Sequence, residues 1–333
     1  MDPVTVITLA DESYGMPLAV TVRSLLDNLA GGRDVRIVVI DGGILPDTKQ
    51  QLVDSWRDAQ AWGRCDLEYV SPRYDGIGNI PHRGRLPVLT YARLSAAEYV
   101  PGESGKVVFL DSDTLVLTDV SRLAAMDLGD ATIAAAQDPY IPLVSSFGGL
   151  RNYTALGLSR DARYFNAGIM VIDIGRWRAE HVGPNAFAYT RRHLPVLQNY
   201  DQDSLNAVLA GRWKELDARW QVHPRTGNSV GRRPLEDAYI IHFSGRLKPW
   251  LYAGRTCADA LFYEYVDRTA WRRARPPATL TSMAMRLYDS PVRRVLYPIE
   301  KRLLGRRDRS SRDARTVPEY QDATGSPSSG STG

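Results

Sequence analysis

Along most of the chain, short apolar runs alternate with segments whose apolar residues recur at helical spacing. Val4 to Leu9 is such a run. Behind it Leu18, Val22, Leu25, Leu26 and Leu29 form one face of a helix opened by Pro17 and stopped by Gly31 and Gly32. A strand over Val35 to Ile40, a helix near Pro46 to Gln60, a short strand at Leu67 to Val70 and a helix from Pro87 to Tyr99 continue the alternation. Lys106 to Leu110 has the unbroken apolar character of a buried parallel strand, and Thr132 to Ala136 and Gly168 to Ile172 read as further strands. The polar, glycine-containing stretch from Tyr140 to Tyr164 reads as a mobile covering segment, long enough for a lid or an acceptor wall. NYDQDSLNAVLAG predicts a helix with Asp201 as N-cap, Leu205, Val208 and Leu209 inward, and Gly211 as the stop. The succession predicts an α/β fold, with a mostly parallel central sheet and helices on both faces.

The strand KVVFL ends in Asp111-Ser112-Asp113, so two carboxylates emerge at the strand end where open α/β sheets bind ligands. Residues i and i+2 of extended chain share a face, and two carboxylates aimed at one spot repel unless a cation lies between them. Hard oxygens suit Mg²⁺ or Mn²⁺, and His242, after the apolar run AYII, tilts the choice toward Mn²⁺. Gly245 lets backbone approach a phosphate and Lys248 adds a compact positive charge, so HFSGRLKPW reads as a phosphate clamp. Each feature has a plainer alternative. A lone D-x-D is often an Asx cap, His242 could be a core histidine, and Asn166 could satisfy loop backbone. Asp201 could be only a cap and Asp203 only a partner of the helix dipole. Trp250 reads as a packing residue.

Four blocks occur together in a fixed order: ITLADESY, YARL followed by VVFLDSDTLV, YFNAGIMVIDIGRW, and NYDQDSLNAVL with the closing HFSGRLKPW. From Val4 to about Trp250 the chain thereby resembles the retaining glycosyltransferases of family eight, which include bacterial lipopolysaccharide galactosyltransferases and glycogenin. The resemblance implies a GT-A type nucleotide-sugar-binding fold. It implies that Leu9, Ala10, Asp11 and Ser13 contact the nucleotide, and that Asp111, Asp113 and His242 hold Mn²⁺, with Ser112 between the carboxylates. Arg93, Asp138, Asn166, Asp201 and Gln202 would surround the donor hexose, and Gly245 and Lys248 the diphosphate. Two positions depart from the pattern: Ser13 stands where relatives commonly have Asn, and Asp173 replaces the second Asn of N-x-G-x-x-x-x-N.

With 333 residues and 44% hydrophobic content the chain can bury a full core, and about 250 residues suit one α/β domain. Cys65 and Cys257 lack C-x-x-C spacing, so neither a disulfide framework nor a thiolate zinc site is indicated and a reducing cytosol is the simplest compartment. The chain runs directly into VTVITLA, without the pattern of a signal peptide or membrane span. A catalytic domain is expected over residues 1–267. From Arg268 to Arg315 there are fourteen Lys or Arg against four acids, a net +10, so the rest of the chain carries −6 of the overall +4. Within a basic segment placed at 268–307, Val292, Val295, Leu296, Ile299 and Leu303 have helical spacing, interrupted by Pro298. Such a helix would suit an anionic membrane surface, or would pack on the catalytic domain. Nucleic acid is a poorer partner, because no stacking motif accompanies the charge. The Ser-, Gly- and Pro-rich end, 308–333, reads as disordered.

The expectation is a Mn²⁺-dependent enzyme, with Mg²⁺ as the other candidate. It would move glucose or galactose from a UDP-sugar to a carbohydrate, lipid-linked or other hydroxyl acceptor with retention, at the inner face of the membrane or free in the cytoplasm. Asp201, Gln202, Asp203 and Lys248 are the candidate catalytic groups. Either Gln202 or a carboxylate faces the anomeric carbon, or the leaving phosphate takes the acceptor's proton on the same face. An inverting transferase and a non-catalytic nucleotide-binding scaffold at a membrane are the alternatives.

Overall fold

The computed structural model describes residues 3–74, 88–102, 105–224, 233–245, 248–252, 256–277 and 279. The expected basic helix around Val292 to Leu303 and the tail beyond it lie outside these residues. Seven strands form the central sheet: β1 (Val4–Ala10), β2 (Val35–Asp41), β3 (Cys65–Val70), β4 (Lys106–Leu110), β6 (Ile133–Gln137), β7 (Phe165–Asp173) and β8 (Trp213–Glu215), in the order β3-β2-β1-β4-β7-β6-β8. A second, two-stranded sheet pairs β5 (Thr114–Val116) antiparallel with β9 (Ile240–His242). The helices are α1 (Gly15–Asn28), α2 (Pro46–Trp56), α3 (Ser121–Ala124), α4 (Ile174–Ala179), α5 (Val182–His193), α6 (Tyr200–Val208), α7 (Arg233–Glu236) and α8 (Cys257–Val266).

Every pairing in the large sheet is parallel except those of β7, which runs opposite to both β4 and β6. Successive residues of one strand enter different apolar layers, as the pleat requires. Val108, Leu110, Ile169 and Val171 join Leu18, Val22, Leu25 and Leu26 of α1 and Leu52 and Trp56 of α2. Val107, Phe109, Met170 and Ile172 join Leu89 and Leu94, Phe187 of α5 and Leu205 of α6. Helices therefore cover both faces. A third cluster seats α8, through Ala258, Phe262 and Val266, against β5 and β9.

Several boundaries differ from expectation. Val88–Tyr99 is wound as tight 3-10 turns broken at Ser95, whereas a regular helix was expected. Strand β7 begins at Phe165, three residues before the expected Gly168, so Asn166 is its second residue, next to the shift in register against β6. Asp201 is not the cap of α6: Asn199 precedes the helix, Tyr200 has φ 53°, and Asp201 sits in the first turn with its side chain turned to other partners. The covering segment before β7 has a small core of its own, Val144, Leu150 and Tyr164. Trp250 packs on Phe262 and against the edge of Tyr14, as a packing residue should.

The chain after α8 turns back over α1 and α2. The carbonyl of Arg268 accepts from Arg23 Nη1 at 2.9 Å, the amide of Ala270 donates to Ser55 Oγ at 2.8 Å, and the Trp271 ring packs beside Gly15. Among the described residues no helix is long and apolar enough to cross a membrane.

Candidate active site

Two registers assemble the site. Because β7 is antiparallel to β4, with Leu110 opposite Ile169, the start of β7 meets the end of β4, and the amide of Asp111 donates to Gly168 O at 2.7 Å. Because Thr114 stands opposite His242 across β5 and β9, the imidazole arrives beside Asp113. Ligand atoms of Asp111, Asp113 and His242 all lie within 4.8 Å of one another.

Each of the two carboxylates divides its oxygens. Asp111 gives Oδ1 to Arg93 Nη2 and holds Oδ2 3.5 Å from His242 Nε2. Asp113 gives Oδ2 to Lys248 Nζ and holds Oδ1 3.1 Å from the same nitrogen. One oxygen of each aspartate is thus committed to a fixed cation while the other converges on the imidazole. Lys248 also donates to the carbonyl of Phe243 at 2.7 Å. Arg93, buried, pairs with Asp201 Oδ2 at 3.1 Å, and Asp201 Oδ1 accepts from Thr90 at 2.7 Å. Burial, reinforced by Asp113 and opposed by Arg93, pushes the Asp111 carboxyl up to about 6. Burial also acts on Asp113, but Lys248 and His242 outweigh it and hold that carboxyl well below the usual range. Tyr14 lies at 6.0 Å from Lys248 Nζ, and burial together with Asp113 and Asp111 raises its phenol far above the ordinary value.

A divalent cation fits this set. Two carboxylate oxygens and an imidazole nitrogen are a donor set for Mn²⁺ or Mg²⁺. Asp113 Oδ1 is buried without a hydrogen-bond partner among the described residues. Gly168 leaves the room: a Cβ there would stand 2.3 Å from His242 Cε1 and 2.8 Å from Asp111 Oδ2.

A second polar group adjoins the first through the backbone of Ala167. The carbonyl of Ala167 accepts from Arg93 Nη1 at 3.0 Å, and its amide donates to Gln202 Oε1 at 3.1 Å. Gln202 Nε2 and Asn166 Nδ2 both donate to Asp138 Oδ2, at 3.1 and 2.9 Å. Asp138 Oδ1 in turn accepts from the amides of Tyr140 and Ile141, which fixes the start of the covering segment. Asp203 faces elsewhere: it accepts from Tyr164 Oη at 2.6 Å and from the amides of Gln198 and Asn199 at 2.6 and 3.0 Å. These contacts hold the entrance of α6.

The remaining expected residues flank the cluster. Leu9 and Ala10 end β1, and Asp11 accepts from Ser13 Oγ at 2.6 Å. Ser112 is buried, with its carbonyl accepting from Thr21 Oγ1 at 2.9 Å. Gly245 has φ 86°, a conformation that favours glycine. Sequence reasoning missed Thr90, Tyr14, Thr21 and His223. The His223 ring lies 5.2 Å from that of His242 and is fully buried, and burial together with His242 pushes it well below the usual imidazole range.

A family model described as glycosyl transferase family 8 matches residues 5–254. General stress protein A of Bacillus subtilis is 29% identical over 287 residues, covering 82% of this chain and 96% of its own. A putative glycosyltransferase of Haemophilus influenzae is 24% identical over 254 residues, 74% of this chain and 72% of that one. Probable galacturonosyltransferase-like 3 of Arabidopsis thaliana is 31% identical over 194 residues, 53% of this chain and 55% of that one. Among solved structures, the galactosyltransferase LgtC with donor and acceptor sugar analogs superposes with a TM-score of 0.65 at 26% identity, over 80% of this chain and 96% of that one. The mostly parallel sheet covered on both faces is thus a GT-A-like fold shared with LgtC.

Proposed function

The chain belongs to glycosyl transferase family 8, and from that premise we propose that it transfers glucose or galactose from a UDP-sugar to a hydroxyl acceptor, with retention of configuration and with Mn²⁺ as the preferred metal. The observation that carries this reading is the split use of Asp111 and Asp113, each tied by one oxygen to Arg93 or Lys248 and aimed by the other at His242 Nε2. These three residues would hold the cation. When bound, the cation would supply charge stabilisation for the departing diphosphate.

The chain's own residues would do the rest. Lys248, paired with Asp113, would turn its positive charge toward a bound diphosphate, and Gly245 would let backbone approach it. Gln202, anchored by Ala167 and Asp138, would present its amide at the donor sugar, with Asn166 and Asp138 fixing the sugar's hydroxyls. The end of β1, with Asp11 and Ser13, would receive the uridine. The contacts of Asp203 favour a holding role over attack at the anomeric carbon. The charge excess beyond Arg268 supports an acceptor presented at an anionic membrane surface.

The test is a screen of UDP-glucose and UDP-galactose for transfer or hydrolysis with and without Mn²⁺, alongside calorimetry of UDP binding. UDP should bind more tightly with Mn²⁺, and the proton NMR spectrum of fresh product should show an α linkage. Equal UDP affinity in both conditions would overturn the metal assignment, and a β linkage would overturn retention.

A further inference from the structure

A metal-ligating histidine ordinarily gives its second ring nitrogen to a carboxylate, carbonyl or water, which orients the ring. In this protein His242 Nε2 faces the aspartates, but its Nδ1 is buried with no hydrogen-bond partner among the described residues. The ring is held by shape instead. Val222 bridges Ile241 in parallel register, so the next residue on each chain, His223 and His242, stand side by side with their rings 5.2 Å apart at 41°. His223 is locked in turn. Its Nδ1 is 2.7 Å from Ser244 Oγ, its Nε2 is 3.2 Å from the side-chain amide of buried Gln221, and the Tyr140 ring meets it edge-on at 5.6 Å. Gly168 provides the space that the imidazole occupies, since a Cβ would come 2.9 Å from Nδ1.

We propose that His223 is a positioning residue that aims His242 at Asp111 and Asp113 through ring contact, in place of the usual hydrogen bond to the ligand's outer nitrogen. This rests on the reading of those three residues as holders of a divalent cation. The anchoring of His223 from both nitrogens explains why it can serve. A ring pinned by Ser244 and Gln221 makes a rigid wall, whereas a free aliphatic side chain would let the His242 imidazole rotate about its own χ angles. Outer-shell hydrogen bonds to ligating histidines change metal affinity by about 10–100-fold when removed, and a ring contact that replaces one is set against the lower end of that range.

The experiment measures Mn²⁺ affinity of the full-length protein without nucleotide, by the electron paramagnetic resonance signal of free Mn²⁺, for wild type, His223→Ala, His223→Phe and Gly168→Ala. Thermal unfolding in chelator is recorded for each. His223→Ala should weaken Mn²⁺ binding by about 10-fold, and His223→Phe should recover only part of that loss, because a ring is still present but its anchors to Ser244 and Gln221 are gone. Gly168→Ala should bind worst, since it displaces the imidazole itself. Unchanged Mn²⁺ affinity in His223→Ala, even with a lowered unfolding temperature, would overturn the positioning role, as would a His223→Phe variant no better than His223→Ala. Absence of Mn²⁺ binding by the wild-type protein both without nucleotide and with saturating UDP would overturn the metal reading itself, and this role with it.

Discussion

Replacing Arg93 by Met tests how the site is held together before any ligand arrives. The substitution keeps much of the apolar stem over Phe109, whose ring centroid is 4.8 Å from the guanidinium, and removes the charge. Lost are the pair with Asp111, the pair with Asp201 at 3.1 Å and the hydrogen bond to Ala167 O at 3.0 Å. Breaking a buried pair by deleting one partner costs about 3–5 kcal/mol, because the remaining charge is stranded. Here two carboxylates are stranded, but each can take up a proton for about 1.4 kcal/mol per pH unit, which draws the expected loss toward the lower end, about 3 kcal/mol. At about 2–4 °C per kcal/mol for a domain of this size, the unfolding temperature in chelator should fall by roughly 6–12 °C. The sign of the pH dependence follows from Asp201. Burial already raises its pKa and Arg93 opposes that rise, so without Arg93 the folded-state value climbs further above the unfolded one. The loss should therefore be small in acid, where the carboxyl is neutral, and grow as pH rises toward neutrality. Scanning fluorimetry of both proteins across that range is the assay. A loss under about 1 kcal/mol at neutral pH, in the range of an exposed ion pair, would refute the reasoning, and so would a loss that does not change with pH.

Four further outcomes are expected. Gln202→Ala should lower turnover far more than UDP affinity, read as a fall in kcat with an unchanged Kd for UDP. Tyr164→Phe removes the hydroxyl donor to buried Asp203 and should cost about 1.5–3 kcal/mol in urea denaturation; a neutral effect would mean that Asp203 does not depend on it. A chain stopped after Asp267 loses the acceptor for Arg23, the Ala270 amide and the Trp271 ring, and should unfold at lower urea than a chain stopped after Thr279. Equal midpoints would show that this strap is not part of the fold. Burial, with Asp66 adding to it, moves the Cys65 thiol from 9.0 up to about 12, so at mildly alkaline pH its thiolate fraction is roughly a thousandfold smaller than that of an ordinary thiol. A maleimide reagent should therefore label exposed Cys257 first, as read by mass spectrometry.

The alternation of apolar runs was enough to place β1, β2, β4 and α1, since each buries a long contiguous face and few other conformations would hide those residues. It could not tell that β7 is reversed. Ile169, Met170, Val171 and Ile172 are apolar in either direction, and a strand buried on both faces carries no mark of its polarity. Direction is decided by the return path of the covering segment, which leaves β6 and re-enters the sheet at the same end. The misplaced cap on α6 has a different cause. A capping Asp stands before the helix and bonds the amides two and three residues on, but Asp201 lies within the first turn, where its carboxyl takes Arg93 and Thr90 from a distant segment together with the amides of its own residue and Gln202, and Asp203 bonds the amides before the helix.

The same division runs through the site. Asp111 and Asp113 were legible because one strand end carries both, but the extended geometry expected there is not what joins them: β4 stops at Leu110, Ser112 and Asp113 form a turn, and the two carboxylates converge across it. Their counter-charges were legible only as residue types, since nothing local says that Arg93 will take one oxygen of Asp111 while Lys248 takes one oxygen of Asp113. His223 was not legible at all. Its significance comes from a single bridge between Val222 and Ile241, two segments with no sequence pattern in common, and a lone histidine beside a glutamine is indistinguishable from a core residue until that bridge sets it against His242. What a chain reveals locally is therefore which atoms can bind a ligand. The register of distant strands decides where those atoms point, and with it how firmly the site is held.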